Sequence, residues 1–148
     1  MRKTVEILIL DSQDGYRKEY EEFFVNGSFF LKRAKVVFDS KGFDHIFSEP
    51  LSDGKGRQFS FRRAKKIYFI KEILSGDLPI EILFEESTKN FAVFCREIDC
   101  VIYLRPTPNG LQTMTFFDFG KDHTKMYQKQ KSKCRDVSDE EFQRITRQ

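Results

Sequence analysis

The chain has 148 residues, 39% hydrophobic and 33% charged, which suits one domain with one continuous core and excludes a wholly disordered protein. Eight glycines and four prolines are too few for collagen-like or low-complexity sequence, and no apolar run approaches the roughly 18 to 20 residues of a membrane span. The formal charge is +3, and Cys95, Cys100 and Cys134 form no disulfide framework or zinc spacing, so no metal and no other cofactor is expected.

In chain order, Met1-Arg2-Lys3 leads into Val5–Leu10, which reads as a short strand or the buried start of the domain and closes at Asp11 without a signal-peptide cleavage site. A cytoplasmic address without membrane contact is therefore expected. Tyr16, Tyr20, Phe23 and Phe24 recur at helical spacing before Asn26-Gly27. Lys35–Phe38 reads as a strand, and Gly42–Phe47 as a short helix stopped by Pro50. Residues Leu51–Gln58 read as a loop. Phe61, Ala64, Ile67, Tyr68, Ile70, Ile73 and Leu74 trace one apolar face and predict a single helix over residues 60–75. Four strands follow, Ile80–Phe84, Phe91–Cys95, Cys100–Leu104 and Leu111–Phe117, separated by short turns as in an antiparallel meander. The last turn, Pro106–Gly110, holds an Asn-Gly pair suited to a tight hairpin. Thr124–Lys131 reads as helix, and Ser138 with Glu141 forms a capping box for another. These elements predict an α+β fold, with N-terminal helices packed on a single four-stranded antiparallel sheet and a C-terminal helical tail. The whole chain reads as one domain, with a basic tail over residues 121–148.

Charge is distributed unevenly. Residues 1–54 carry 8 basic and 10 acidic side chains, residues 55–74 carry 7 and 1, residues 75–120 carry 3 and 7, and residues 121–148 carry 8 and 5. The block Lys55, Arg57, Arg62, Arg63, Lys65, Lys66 and Lys71 suits a phosphate backbone, whose neutralisation releases counterions. Solvated helix faces explain the same charges. No Walker loop, dinucleotide fingerprint, zinc-hydrolase or serine-hydrolase motif occurs.

Three segments carry a family resemblance: Phe43-Asp44-His45-Ile46-Phe47, residues Phe61 to Ile70 with Arg62-Arg63 and Lys65-Lys66, and Leu111-Gln112-Thr113-Met114-Thr115-Phe116-Phe117. Over residues 36–117 their order resembles the barnase, EndoU, colicin and RelE-like nucleases (the BECR superfamily), and more narrowly a phage-associated, barnase-like branch. The resemblance implies a metal-independent endoribonuclease, a toxin or phage or mobile-element effector, that cleaves RNA by 2′-hydroxyl attack. RNA is then the expected partner, along with an acidic inhibitor or antitoxin protein.

Such cleavage needs a base for the 2′-hydroxyl, an acid for the 5′-oxygen and cations for the phosphorane. The resemblance assigns His45 as base, Arg63 and Lys66 as phosphate-stabilising cations and Thr115 as a hydroxyl donor in the last strand. Lys55, Arg57, Arg62, Lys65, Arg105, Lys125 and Lys129 are the expected RNA contacts. Tyr103 is a candidate for stacking on a base. His123 is a candidate acid, or a residue of a solvated helix start with Asp122 and Thr124 as caps. Structural readings stand beside the catalytic ones: His45 held by backbone, Arg63 tying helix to sheet, Thr115 as plain strand surface. Thr113 and Thr115 are expected to share one strand face, with Met114 and Phe116 on the other. A non-catalytic RNA-binding or protein-interaction module using the same basic helix is the alternative function, and a purely structural phage protein a third.

Overall fold

Ser12 starts the first helix: its Oγ accepts the Gly15 N–H at 3.0 Å, satisfying an amide the helix leaves open. From there α1 (Gln13–Glu19) runs into a π-helical turn (Tyr20–Val25), and Tyr16, Tyr20 and Phe24 are buried along it. The structure is a computed structural model that describes residues 5–119 and 123–147. The expected N-terminal strand is not formed, because residues 5–10 pair with no strand. The Tyr16 hydroxyl holds them instead, accepting from Leu10 N–H at 2.9 Å and donating to the Leu8 carbonyl at 2.8 Å.

Next, β1 (Phe29–Leu31) and β2 (Ala34–Val37) form a hairpin that turns through Lys32, whose φ is +55°. After α2 (Gly42–Ile46), the expected loop over 51–58 is found at residues 51–56, while its last two residues enter a second hairpin, β3 (Ser48–Pro50) against β4 (Arg57–Phe59). The expected helix over 60–75 is two helices, α3 (Phe61–Ala64) and α4 (Ile67–Leu74). The chain kinks at Lys66, with φ −100° and ψ 23°, and Phe69 N–H bonds the Lys66 carbonyl at 2.9 Å. That leaves the Lys65 carbonyl free to accept Leu8 N–H at 2.8 Å, so the kink also anchors the N-terminal segment.

The expected meander follows as β5 (Glu81–Glu85), β6 (Asn90–Cys95), β7 (Cys100–Thr107) and β8 (Gly110–Asp118). The chain ends with α5 (His123–Lys131), β9 (Arg135–Asp136) and α6 (Asp139–Thr146), where Ser138 Oγ caps Glu141 N–H at 3.1 Å as its motif predicts. The sheet is not the expected single four-stranded antiparallel one. Seven strands form a curled, mixed sheet in the order β1-β2-β8-β7-β6-β5-β9, with β3 and β4 as a separate pair. The meander edges recruit the extra strands: β2 joins β8 in parallel, and β9 joins β5. Gly110 permits the parallel join, since its φ is +128° and a Cβ would lie 2.7 Å from the Lys35 carbonyl oxygen. The hairpin's central residues are Pro108 and Asn109, with Thr107 opposite Gly110, so the Asn-Gly pair does not itself form the turn.

Alternation along β6 and β7 divides the core. Phe91, Val93, Cys95, Cys100, Ile102 and Leu104 join the cluster under α1 to α4 and α6, while Ala92, Phe94, Val101 and Tyr103 join a second cluster with Tyr127 of α5. Aromatic packing dominates the first: Tyr20 lies 5.6 Å from Phe43 and 5.9 Å from Phe47, and Phe142 of α6 lies 4.9 Å from Phe91. No helix among the described residues is long and apolar enough to cross a membrane.

Candidate nucleic-acid interface

In α2, Asp39 Oδ1 accepts Gly42 N–H at 2.7 Å, Phe43 and Ile46 are buried, and Asp44 and His45 stay exposed. His45 hydrogen-bonds to no other described side chain or backbone group, so it is not the backbone-tied histidine that a core role requires. Phe47 is fully buried and Ser48 nearly so, which turns the chain into β3 directly beneath the imidazole's helix. A cleft of about 280 Å³ opens there, lined by His45, Ser48 and Arg57 together with Phe47, Phe59, Gln13 and Gln58. Asp44 also lines it and is paired with Arg17 at 3.0 Å.

Two guanidinium groups converge on Ser48. Arg57 donates from Nε to Ser48 Oγ and from Nη2 to the Ser48 carbonyl, both at 2.9 Å, while Arg63 Nη1 donates to the same carbonyl at 2.6 Å. Arg63 lies 5.7 Å from the Phe117 ring, and its buried Nε has no partner among the described residues. Burial, then the charges of Arg62 and Arg57, lower its pKa, although a guanidinium stays charged in any case. Arg63 thus ties α3 to β3 and the sheet, while the arginine that lines the cleft is Arg57.

Two other cations of α3 and its kink, Arg62 and Lys66, have a carboxylate partner. Arg62 and Lys66 each donate to one oxygen of Asp118, whose side chain is 5% exposed, and Arg62 also lies 3.6 Å from Glu49. Burial raises the Asp118 pKa, but the hydrogen bond and charge of Lys66 and the charge of Arg62 outweigh it, and the net shift is downward. Lys66 and Arg62 are therefore both engaged in a local network, Lys66 largely covered and Arg62 still half exposed. Neither Asp118 nor Ser48 stands out in the sequence. Asp118 is the register partner of Cys100 on the helix-bearing face, a position that alternation along the last strand implies once the face is known.

The other expected site residues scatter. The ladder is irregular between Tyr103 and Leu104: Thr115 pairs with Tyr103 and Thr113 with Leu104, leaving Met114 as a bulge. This extra residue puts Thr113 on the helix-bearing face, where its buried hydroxyl lacks a described partner, and Thr115 on the opposite face. The two threonines do not share a face, and Thr115 does not reach the cleft. Tyr103 is buried and bonded to Gln130, so it offers no ring for stacking. Lys55 is exposed at the tip of the β3–β4 hairpin, and Lys65 is half-buried at the α3–α4 kink. Arg105 is exposed and donates to Asn90 Oδ1 at 3.3 Å, five strand steps, or about 16 Å, from the Cys100–Asp118 end of the sheet. Lys125 and Lys129 are exposed on α5, on the second face. His123 begins α5 with its side chain outside the described atoms, and Asp122 and Lys121 lie outside the described residues. No family model, curated protein or solved structure matches the chain.

Proposed function

We propose that the chain is an endoribonuclease-like protein that works on RNA at the cleft between α2 and the β3–β4 hairpin. One observation carries the reading: an exposed imidazole without a described partner shares a concave site with an anchored guanidinium. His45 takes the proton of the 2′-hydroxyl as the oxygen attacks phosphorus, the general-base task that an imidazole performs most often. The P–O5′ bond breaks, the 5′-oxygen takes a proton from water, and the products are a 2′,3′-cyclic phosphate and a 5′-hydroxyl. Arg57 uses two N–H groups on Ser48, leaving about three of its five for the nonbridging phosphate oxygens as their charge grows. Arg63 and Ser48 hold that fork in place, a positioning task. This replaces the expected direct phosphate contacts of Arg63 and Lys66.

The test is cleavage of a mixed RNA pool in EDTA by the wild-type chain beside His45→Ala, with folding compared by circular dichroism. A loss of roughly 10²- to 10⁴-fold in rate at unchanged fold supports the reading. A folded wild type that binds RNA without cutting it would make the chain a binding module.

A further inference from the structure

A second concave site lies at the other end of β8. The β1–β2 turn, the β7–β8 turn and the end of α6 enclose a cavity of about 280 Å³, which Lys32, Arg33, Lys35 and Arg147 line with no carboxylate. Lys32 pairs with Asp139. Arg33, Lys35 and Arg147 are exposed and have no ion-pair partner among the described residues. Asn109 and Gln143 add amide donors at the same cavity. Three cations without a described ion-pair partner, two from the β1–β2 hairpin and one from the end of α6, hold up a local positive potential in this concavity that an anion relieves.

The placement relates this cavity to the first cleft. Strand β8 runs from Gly110 in the cavity to Asp118, eight residue steps or about 26 Å. Arg62 bridges Asp118 to Glu49 of β3, and Arg63 bridges Phe117 to Ser48, so the cleft adjoins the Asp118 end. Both sites are built on elements packed against the same core cluster, since Phe142 of α6 and Phe43 of α2 both belong to it. We infer that the cavity is a second phosphate-binding site, gripping the backbone of an RNA strand at a distance from the bond cut beside His45. The inference rests on the RNA reading of the first cleft.

The experiment compares Arg33→Gln/Lys35→Gln/Arg147→Gln with the parent chain, all in a His45→Ala background so that RNA stays intact, by fluorescence polarisation with labelled mixed-sequence RNAs. Roughly 30-nucleotide RNA reaches both sites, whereas roughly four stacked nucleotides cover only about 14 Å. For the long RNA the salt slope should fall by about 2 in the triple variant, so the parent loses about 20-fold more affinity than the variant between about 50 and 200 mM salt. Binding of the short RNA should not change. With His45 restored, the three substitutions should raise KM for long RNA and leave kcat alone. An unaltered slope and affinity for long RNA in the folded triple variant overturns the second site, whatever the cleavage assay shows. A reduced slope with no cleavage by the wild type removes the nuclease reading and keeps the site. Failure of the parent chain to bind long RNA overturns both.

Discussion

Arg57 and Arg63 meet on a neutral carbonyl, whereas Arg62 and Lys66, from the same stretch of basic sequence, meet on a carboxylate. The first arrangement fixes two positive charges and cancels neither. The second, with Glu49 also beside Arg62, compensates the charges and turns both cations into struts between the α3 segment and the end of β8. A count of basic residues assigns the four equal value for binding an anion; the acceptor each one finds separates them. Phosphate affinity should therefore concentrate at Arg57, and stability at Asp118.

The largest expected effect that tests this contrast is at Arg57. Arg57→Ala should lower kcat for RNA cleavage by roughly 10²- to 10³-fold, the usual cost of a lost transition-state donor. Arg57→Lys should recover little, because a lysine offers no planar fork. Thermal unfolding should move only slightly, since Arg63 still bonds the Ser48 carbonyl. A rate unchanged in Arg57→Ala would take the phosphate contact away from the cleft.

Asp118→Ala comes next and acts on stability. It leaves Lys66, 22% exposed at its side chain, without a counter-charge, and should cost about 2–4 kcal/mol in urea unfolding. The pH dependence supplies a second readout. The folded Asp118 pKa lies below its unfolded value, so its contribution is present above the unfolded value of about 3.9 and disappears as pH falls through the folded pKa. Wild-type stability should therefore drop in that acid window, with a shallower drop in Asp118→Ala. Equal acid slopes would show that Asp118 is not held ionised by its partners.

How much of this was legible in the sequence depends on the range of the force involved. The meander, the cap at Ser138 and the short helix that carries His45 follow from local periodicity and hydrogen bonding. The break at Lys66 does not, because the apolar face from Phe61 to Leu74 continues across it. The kink is set by groups distant in the chain, Leu8 N–H on the Lys65 carbonyl and Asp118 on Lys66. Strands β1 and β9 have three and two residues, too few to express a period of two. The bulge at Met114 moved Thr115 to the other face, and nothing in Thr-Met-Thr announces an extra residue.

The smallest expected effect concerns α5, whose Lys125 and Lys129 were expected to bind RNA together with the α3 cations. Tyr127 anchors that helix to the second cluster, its hydroxyl donating to Glu81, while Lys131 pairs with the same carboxylate at 3.0 Å. The two exposed lysines consequently lie across the sheet from the cleft and from the Arg33–Arg147 cavity. An RNA strand following the helix-bearing face does not pass them. Lys125→Gln/Lys129→Gln should therefore leave the salt slope for long RNA within about 0.5 of wild type, although it removes two positive charges to the cavity variant's three. A drop of about 1 to 2 would mean that the strand wraps the sheet edge and engages both faces.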